Sequence, residues 1–471
     1  MVNAPAGTIT GVKIPAQQGG AGDKAAASAA VDGPAVEHFY SIPFLECERY
    51  GTPAMAAPRP AIDATEPRLY RPFSPAFRPP GLHIARPAGA RAGDDLPVIA
   101  YVHGGNYDHG SPDNFRCTGH ELAHQGVIVA AVGYRLAFEG FAHFSQEERH
   151  RYRGTDDAMV GLRWLYRNIE SFGGDPTNIT LVGQSAGAGV ALWLSRRDHF
   201  QGHFRRVVAM SPAFPRRSFE QRKALVRAAA MFAVLREEFE RRRQPAVERA
   251  FRRYKRLVFH DLCVGPAPFS AAELADIPVL VTHTADELFN DPAIAWVDGR
   301  GWLRRCAPRL SSLVGMNGSA ADIAQYWDVA AQGRRAEHPV GRLMSDAVIR
   351  RFVRDVAERA PGRVWLGEYV SSSSHPAYHC VDLPLVFCQP DERPELFDAA
   401  VERLAATRAA REALQEELSA TVVDFARGVQ PAWPEYRPGR TERTWDLATG
   451  AVGSARDPLR AVGLAWPDPV G

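Results

Sequence analysis

The sequence predicts an α/β fold in which helices cover both faces of a mostly parallel central sheet. Three observations support this prediction. Apolar runs of strand length alternate with segments of helical spacing, the runs are bounded by glycine or polar turn residues, and 45% of the 471 residues are hydrophobic. A chain with that apolar content can bury the large core that a layered α/β fold requires.

The strands are predicted from their apolar runs, which become regular from residue 97 onward. These runs are LPVIAYV (96–102), GVIVAAV (126–132), NITLV (178–182), RRVVAM (205–210), IPVLVTHT (277–284) and GRVWLGEYV (362–370). Helical spacing predicts a short helix near Asn114–His124, one over Asp156–Phe172, one directly after Ser185, and a long helix over Glu392–Gly428.

Most of the chain is predicted to be a single domain, residues 36–471. Residues 1–35 are interpreted as a flexible N-terminal segment with a possible edge strand, because residues 14–35 are rich in Ala, Gly and Gln. Two largely helical excursions, about 213–272 and 318–360, interrupt the alternation. We expect them to fold over the edge of the sheet as a cap.

Charge and cysteine content exclude several classes of protein. The net charge is +2 with both signs intermixed, so nothing indicates a nucleic-acid surface. No segment approaches the roughly 18 uninterrupted apolar residues of a membrane helix, and the N-terminus lacks the basic-then-apolar pattern of a secretory signal. The six cysteines are scattered with no CxxC pair, which is typical of reduced thiols. We therefore expect a cytoplasmic protein.

A sharp turn between a strand and a helix holds the most informative motif. Gly183-Gln184-Ser185-Ala186-Gly187 fits G-x-S-x-G, directly follows the apolar run ITLV and opens the helical segment AGVALWLSRR. In that context the turn lifts the serine hydroxyl clear of the sheet and places the next backbone N–H at a helix N-terminus. This pattern predicts Ser185 as a nucleophile.

A second glycine turn is suited to stabilising an oxyanion. His103-Gly104-Gly105-Asn106 follows the earlier predicted strand LPVIAYV (96–102). Small residues let the backbone N–H groups of Gly105 and Asn106 approach a substrate, and the Ala186 N–H supplies a third donor. Gly104 and Gln184 flank these donors and are candidates for the substrate pocket.

One motif points to a different chemistry. His120-Glu121-Leu122-Ala123-His124 is a literal H-E-x-x-H, which on a helix places two histidines on one face for zinc. The predicted helix is short, runs almost at once into the buried strand VIVAAV, and has no third ligand at the usual spacing. We interpret the motif as a chance match and predict no metal.

Six segments together resemble the type-B carboxylesterase family, which includes cholinesterases and para-nitrobenzyl esterases. They cover nearly everything after about residue 35, and their order and spacing are those of the family. The segments are YVHGGN (101–106), GYRL (133–136), FGGDPTNITLVGQSAGAG (172–189), IPVLVTHTADE (277–287), HPAYHCVDLPLVF (375–387) and DFARGVQPAWPEY (424–436). The resemblance implies the α/β-hydrolase fold and ester hydrolysis through an acyl-serine.

The resemblance also implies two partners for Ser185. The acid of the family lies in a strand followed by T-x-D-E, which here indicates Glu287, and its base is the histidine of PAYH-x-x-(D/E)-LP, here His379. Independently, strand ends and loops are where α/β enzymes place catalytic groups, and the order Ser, Glu, His is typical of the fold. Ser211, after the strand RRVVAM, is a further pocket candidate, and Asp157 is interpreted as structural.

Several positions depart from the family pattern. Gln184 stands where the family usually has glutamate, so a quaternary-ammonium substrate is less favoured. Asn106 replaces a Gly or Ala, and its side chain is expected to narrow or polarise the acyl side. Leu288 follows Glu287 where glycine is usual, and Cys380 follows His379. None of these changes removes a catalytic group.

Two alternatives to hydrolysis remain open from the sequence. The same serine could transfer an acyl group to an acceptor other than water, or cyclise a natural product. The chain could also be a silent interaction protein, since the resemblance includes adhesion proteins that have lost the serine. The hydrolase interpretation implies no cofactor and no metal, and a small-molecule ester as the only partner. It makes no prediction about oligomeric state.

Overall fold

The computed structural model describes residues 1–15, 35–114, 118–145, 147–148, 150–330, 337–388 and 407–467. Within them the strands are β1 (Val2–Ala4), β2 (Gly7–Thr10), β3 (Val12–Ile14), β4 (Val36–Ile42), β5 (Leu45–Glu46), β6 (Ala54–Met55), β7 (Ala61–Asp63), β8 (Leu82–Pro87), β9 (Leu96–Val102), β10 (Ile128–Val132), β11 (Gly174–Gln184), β12 (Arg206–Met210), β13 (Val279–Thr284), β14 (Val364–Val370), β15 (Thr441–Asp446) and β16 (Val452–Arg456).

The α-helices of the described residues connect these strands. They are α1 (His120–His124), α2 (Ala137–Phe141), α3 (Arg153–Asn168), α4 (Ala186–Leu194), α5 (Phe219–Ala230), α6 (Arg236–Arg241), α7 (Gln244–Leu257), α8 (Pro292–Asp298), α9 (Gly301–Arg304), α10 (Ala320–Ala330), α11 (Pro339–Ser345), α12 (Arg351–Arg359), α13 (Leu383–Val386), α14 (Arg408–Arg427) and α15 (Arg460–Ala465).

An eleven-stranded sheet forms the centre of the described residues. Its order is β16-β15-β14-β13-β12-β11-β9-β10-β8-β4-β3. The strands from β10 to β15 in this order run parallel, and antiparallel pairs occur only toward the two edges. The predicted mostly parallel sheet is confirmed. Parallel strands point their carboxyl ends to one edge, which brings the loops after β9, β11, β13 and β14 together.

The two faces of the sheet bury separate apolar layers. Along β9, Val98, Ala100 and Val102 belong to one layer, and Ile99 and Tyr101 belong to the other. The first layer includes residues of α3 and α4, and the second includes residues of α14. This alternation follows from the two-residue period of a strand buried on both sides, and it confirms helices on both faces.

Three parts of the chain differ from the prediction or were not predicted. The N-terminal residues form β1 and β2, which join β7 in a small separate sheet, while β3 is indeed an edge strand of the main sheet. The C-terminal region, for which no element was predicted after Gly428, adds the hairpin β15–β16 to the opposite edge. The predicted mobile segment overlaps residues 16–34, and the start of the predicted helix at Glu392 falls in 389–406; both ranges lie outside the described residues.

The two helical excursions are built differently. The first contains α5, α6 and α7, with α5 packed on α7. The second continues from α11 through a π-helical turn, Asp346–Arg350, into α12. Because α12 packs on β13 and β14, this end of the second excursion is part of the helical layer over the sheet and not a cap over its edge.

Candidate active site

Ser185 lies at the sharp turn between β11 and α4. Its backbone has φ 57° and ψ −123°, a conformation that L-residues rarely adopt, and its N–H donates to the Met210 carbonyl at 2.8 Å. The turn also requires glycine at Gly187, because a Cβ there would lie 2.0 Å from the carbonyl oxygen of Val102. The local sequence thus forces a strained elbow that presents the serine beside the end of β9.

Ser185, His379 and Glu287 form one hydrogen-bonded line. The Oγ of Ser185 is 2.8 Å from Nε2 of His379, and Nδ1 of His379 is 2.6 Å from Oε2 of Glu287. A carboxylate can only accept, so Nδ1 carries the ring proton and Nε2 presents a lone pair to the serine hydroxyl. The structure therefore brings together the three residues that the sequence predicted, in the arrangement of a nucleophile, its base and an orienting acid.

Glu287 is fully buried and held in place by several donors. Its Oε1 accepts from the Thr284 N–H at 2.8 Å, and its backbone carbonyl accepts from the His379 N–H at 2.8 Å. Burial would raise the pKa of Glu287, but His379, the Thr284 N–H and the Ser211 hydroxyl outweigh burial and lower that pKa. The neighbouring Asp286 instead accepts from the Ala377 N–H, which leaves Glu287 as the acid in contact with His379.

His379 is a strong base in this environment. Burial opposes a charge on the ring, yet the sulfur of Cys380 and the carboxylate of Glu287 raise the pKa of His379 well above its ordinary value. Its side chain is 17% exposed, so a substrate can reach the ring. A base of raised pKa accepts the serine proton readily once it is itself neutral.

The glycine loop lies directly against the elbow. A Cβ on Gly104 would be 3.1 Å from Cβ of Ser185, and Gly105 has φ +115°. Asn106 and Tyr107 continue the loop with φ 52° and 62°. None of the N–H groups of Gly105, Asn106 and Ala186 donates a hydrogen bond to another described residue, so all three remain available to an oxyanion.

Gln184 and Asn106, the two departures from the family pattern near Ser185, differ in whether their side chains reach the site. Gln184 is buried, its Nε2 is 3.4 Å from Nε2 of His379, and it donates to the Cys380 sulfur at 3.1 Å. A neutral amide therefore contacts the base directly. Asn106 is exposed, so its side chain faces solvent at the mouth of the site, and the structure gives no support to the expected narrowing of the acyl side.

Ser211 does not line a pocket. Its side chain is fully buried, and its hydroxyl lies close enough to Glu287 to lower the pKa of that carboxyl. Ser211 also has φ 47°, which turns the chain at the end of β12 beneath the acid. The sequence-based assignment of Ser211 to the substrate pocket is therefore wrong, because the side chain is fully buried.

Two residues near the triad were not assigned roles from the sequence. Cys380 contacts Gln184, although the two are separated by 196 positions in the chain. Asp382 is fully buried without a close hydrogen-bond partner among the described residues, and burial next to Glu287 raises its pKa to about 7. The only sequence signal for Asp382 is its place in the segment PAYHCVDLP, which by itself does not specify a contact.

The H-E-x-x-H motif forms a separate cluster on α1. Ligand atoms of His120, Glu121 and His124 lie within 4.8 Å of one another. Nδ1 of His120 is 2.9 Å from Nε2 of His38 on β4, and Nδ1 of His38 is 3.0 Å from Nε2 of His83 on β8. Burial, with smaller contributions from the neighbouring rings, lowers the pKa of His38 to about 2 and that of His120 to about 4, so both rings are neutral near pH 7.

No α-helix in the described part of the chain is long and apolar enough to cross a membrane. The five cysteines among the described residues, Cys47, Cys263, Cys306, Cys380 and Cys388, are free thiols, and Cys117 lies outside those residues.

Comparison with known proteins places the fold. A carboxylesterase from Geobacillus stearothermophilus superposes with a TM-score of 0.73 over 92% of this chain and 96% of its own, at 24% identity. Phenmedipham hydrolase of Pseudarthrobacter oxydans is 26% identical over 71% of this chain and 72% of its own length. Gut esterase 1 of Caenorhabditis elegans is 36% identical over 132 residues, which span 28% of this chain and only 23% of that relative.

The family model extends over the residues that build the elbow and the glycine loop. Residues 81–243 match the model of the carboxylesterase family, from β8 through the glycine loop and the nucleophile turn to α6. The α/β-hydrolase fold implied by the six segments is thereby confirmed, as is their resemblance to carboxylesterases. Through residues 81–243, the chain is similar to the carboxylesterase family.

Proposed function

We propose that the protein is a serine hydrolase that cleaves carboxylic esters through an acyl-serine intermediate. One observation carries the proposal: the Ser185 hydroxyl is 2.8 Å from His379, whose opposite nitrogen is 2.6 Å from a buried carboxylate. That line allows proton transfer from a nucleophile that is weak at its free pKa. The named esterases among its relatives support the same class of substrate.

In the proposed mechanism Ser185 attacks the ester carbonyl while Nε2 of His379 takes the hydroxyl proton. The backbone N–H groups of Gly105, Asn106 and Ala186 stabilise the negative charge that develops on the carbonyl oxygen. His379 then gives its proton to the departing alcohol oxygen, which leaves the acyl group on Ser185. A water molecule, deprotonated by the same ring, releases the acid and restores the serine.

Glu287 contributes by orientation and charge. Its carboxylate fixes the tautomer of His379 and stabilises the imidazolium that forms during attack, without taking the proton itself. One carboxylate oxygen accepts from His379 and the other from the Thr284 N–H, and these two hydrogen bonds prevent rotation of the carboxylate. The His379 ring therefore keeps the same orientation during acylation and deacylation.

The test is turnover of short- and long-chain para-nitrophenyl esters by Ser185→Ala. We expect the variant to lose ester turnover while its circular dichroism spectrum stays that of the wild type. Ser312→Ala, an exposed serine far along the chain, is the matched control and should retain full activity. Near wild-type turnover by a folded Ser185→Ala protein would refute the proposed function.

A further inference from the structure

Two imidazoles and a carboxylate lie close together on α1, and the proposed ester hydrolysis does not involve them. His120, Glu121 and His124 are all half-buried, and their ligand atoms lie within 4.8 Å of one another. In the described residues this is the one group of three or more His, Cys, Asp or Glu side chains so close together. Two imidazole nitrogens and a carboxylate oxygen are a ligand set that Zn²⁺ prefers.

A chain of rings behind His120 determines which of its nitrogens is free to bind. His83 and His38 lie on neighbouring antiparallel strands, β8 and β4, and are fully buried. Nε2 of His83 is 3.0 Å from Nδ1 of His38, and Nε2 of His38 is 2.9 Å from Nδ1 of His120.

Because Nδ1 of His120 faces Nε2 of His38, Nε2 of His120 is the nitrogen that can bind an ion. A ligating histidine usually donates its other ring N–H to an acceptor, which fixes both tautomer and ring orientation. His38 can serve as such an acceptor for Nδ1 of His120. The ring planes of His38 and His120 are 4° from parallel. The ring centroids of Tyr40 and His83 lie 4.6 Å apart, so aromatic side chains pack closely around the cluster. The half-buried edge of the cluster still admits an ion from solvent.

From this geometry we infer that His120, Glu121 and His124 form a binding site for Zn²⁺ or a similar borderline transition-metal ion, with a water as the remaining ligand. All three ligands lie on α1, and the hydrogen bond between His120 and His38 links the site to β4. It makes no contact with Ser185, His379 or Glu287 among the hydrogen bonds of the described residues, so it is independent of the proposed hydrolysis. The H-E-x-x-H motif is then neither a chance match nor a protease centre.

Calorimetric titration of tag-free protein, first treated with EDTA and then dialysed, tests the site with Zn²⁺ alone. We expect one Zn²⁺ per chain and a higher melting temperature once the ion is bound, because an ion that binds the folded state preferentially stabilises it. Ser185→Ala protein should bind Zn²⁺ equally well, which separates this inference from the proposed function. The absence of stoichiometric binding would overturn the inference.

Substitutions at the cluster locate the bound ion. His120→Ala and His124→Ala should each abolish the binding of one Zn²⁺ per chain. Glu121→Gln, which keeps the side-chain shape, should weaken that binding. His38→Leu removes the acceptor behind His120 and should cost about 10- to 100-fold in affinity. His203→Ala, a half-buried histidine elsewhere, is the control and should bind as the wild type does.

Esterase activity of each variant serves as the folding check, because the cluster is outside the proposed catalytic line. Loss of Zn²⁺ binding with retained ester turnover and circular dichroism would establish the site. Unchanged Zn²⁺ affinity in folded His120→Ala, His124→Ala or Glu121→Gln protein would overturn it, since each residue is assigned as a ligand.

Discussion

His379 and Glu287 contribute to catalysis as a unit, because the carboxylate acts only through the ring that it holds at 2.6 Å. We predict that His379→Ala and Glu287→Gln each lower kcat by about 10³–10⁴-fold, and that the double variant is little worse than either one. Steady-state kinetics on a para-nitrophenyl ester measure all three. Multiplicative losses in the double variant would show that the two residues act separately.

Cys380 should influence the pH dependence through His379. The base must be neutral to take the serine proton, and its pKa is raised well above the ordinary 6.5 by Cys380 and Glu287 against the effect of burial. The acid limb of kcat/KM should therefore lie above pH 6.5, with activity lost as pH falls through the raised pKa. Removing the sulfur in Cys380→Ala should move that limb to lower pH.

The control for this pH profile is Cys306→Ala, whose thiol faces the Trp302 carbonyl and is remote from the triad. Its acid limb should coincide with that of the wild type. An acid limb below pH 6.5 in the wild-type protein, or one that Cys380→Ala leaves in place, would contradict the role given to Cys380.

Gln184 should limit the use of cationic esters. Its amide is buried 3.4 Å from the His379 ring, so a glutamate there would place a negative charge beside both base and substrate. At about 4 Å such a charge attracts a cation by ~1 kcal/mol in water and more in a partly buried site. Gln184→Glu should raise kcat/KM for a choline ester by about five- to thirty-fold over its neutral isostere.

The same glutamate would raise the pKa of His379 further, so the acid limb of Gln184→Glu should shift to higher pH. Measuring both esters across pH separates the two effects. Equal gains for the choline ester and its neutral isostere would show that charge beside the serine does not select the substrate.

The G-x-S-x-G turn predicted Ser185, and the resemblance of two further contiguous segments to the family predicted Glu287 and His379. The sequence could not locate contacts made across the fold. Gln184 meets Cys380 across 196 positions, and His38 meets His120 across 82. No local spacing encodes such pairs, because they arise only when separate strands and loops converge. Asn106 is exposed and has a left-handed backbone, neither of which was predicted.

At the scale of elements, a buried ion pair joins α3 to the loop after β10. Arg135 and Asp157 are both fully buried, and the guanidinium meets the carboxylate through Nε at 2.8 Å and Nη2 at 2.7 Å. Breaking such a pair leaves an uncompensated charge. We predict that Asp157→Asn lowers the free energy of unfolding by about 3–5 kcal/mol, measured by urea denaturation.

The exposed pair Arg427–Asp424 provides the comparison for that measurement. Its members are 42% and 50% exposed, and Asp424→Asn should change the free energy of unfolding by at most ~1 kcal/mol. Equal effects of the two substitutions would mean that the Arg135–Asp157 pair does not anchor α3.

Elements were predicted best where the pattern was long. β9, β10, β12, β13 and β14 lie at or within one or two residues of their apolar runs, because buried parallel strands are continuously apolar. The strands β1, β2 and β7 have only three or four residues, too few for a period, and they are ordered by pairing with one another. β16 is largely exposed and gives no apolar signal at all.

At the scale of the whole molecule, alternation of strand and helix was sufficient to predict the α/β layers, because few topologies satisfy it. The sequence did not predict which helices of the two excursions form a cap and which pack on the central sheet. Both α7 and α12 are amphipathic with apolar stripes, and only packing shows that α12 rests on β13 and β14 whereas α7 packs on α5. An apolar stripe indicates that one face of a helix is buried, but it does not indicate whether a sheet or another helix buries it.

The central claim is that Ser185 is the nucleophile of this fold, and covalent labelling tests it most directly. The protein is treated with a fluorophosphonate, its intact mass is measured, and the modified peptide is sequenced by mass spectrometry. We predict one adduct per chain, located on Ser185, with ester turnover lost in proportion to labelling. An adduct confined to another residue, or full turnover by completely labelled protein, would contradict it.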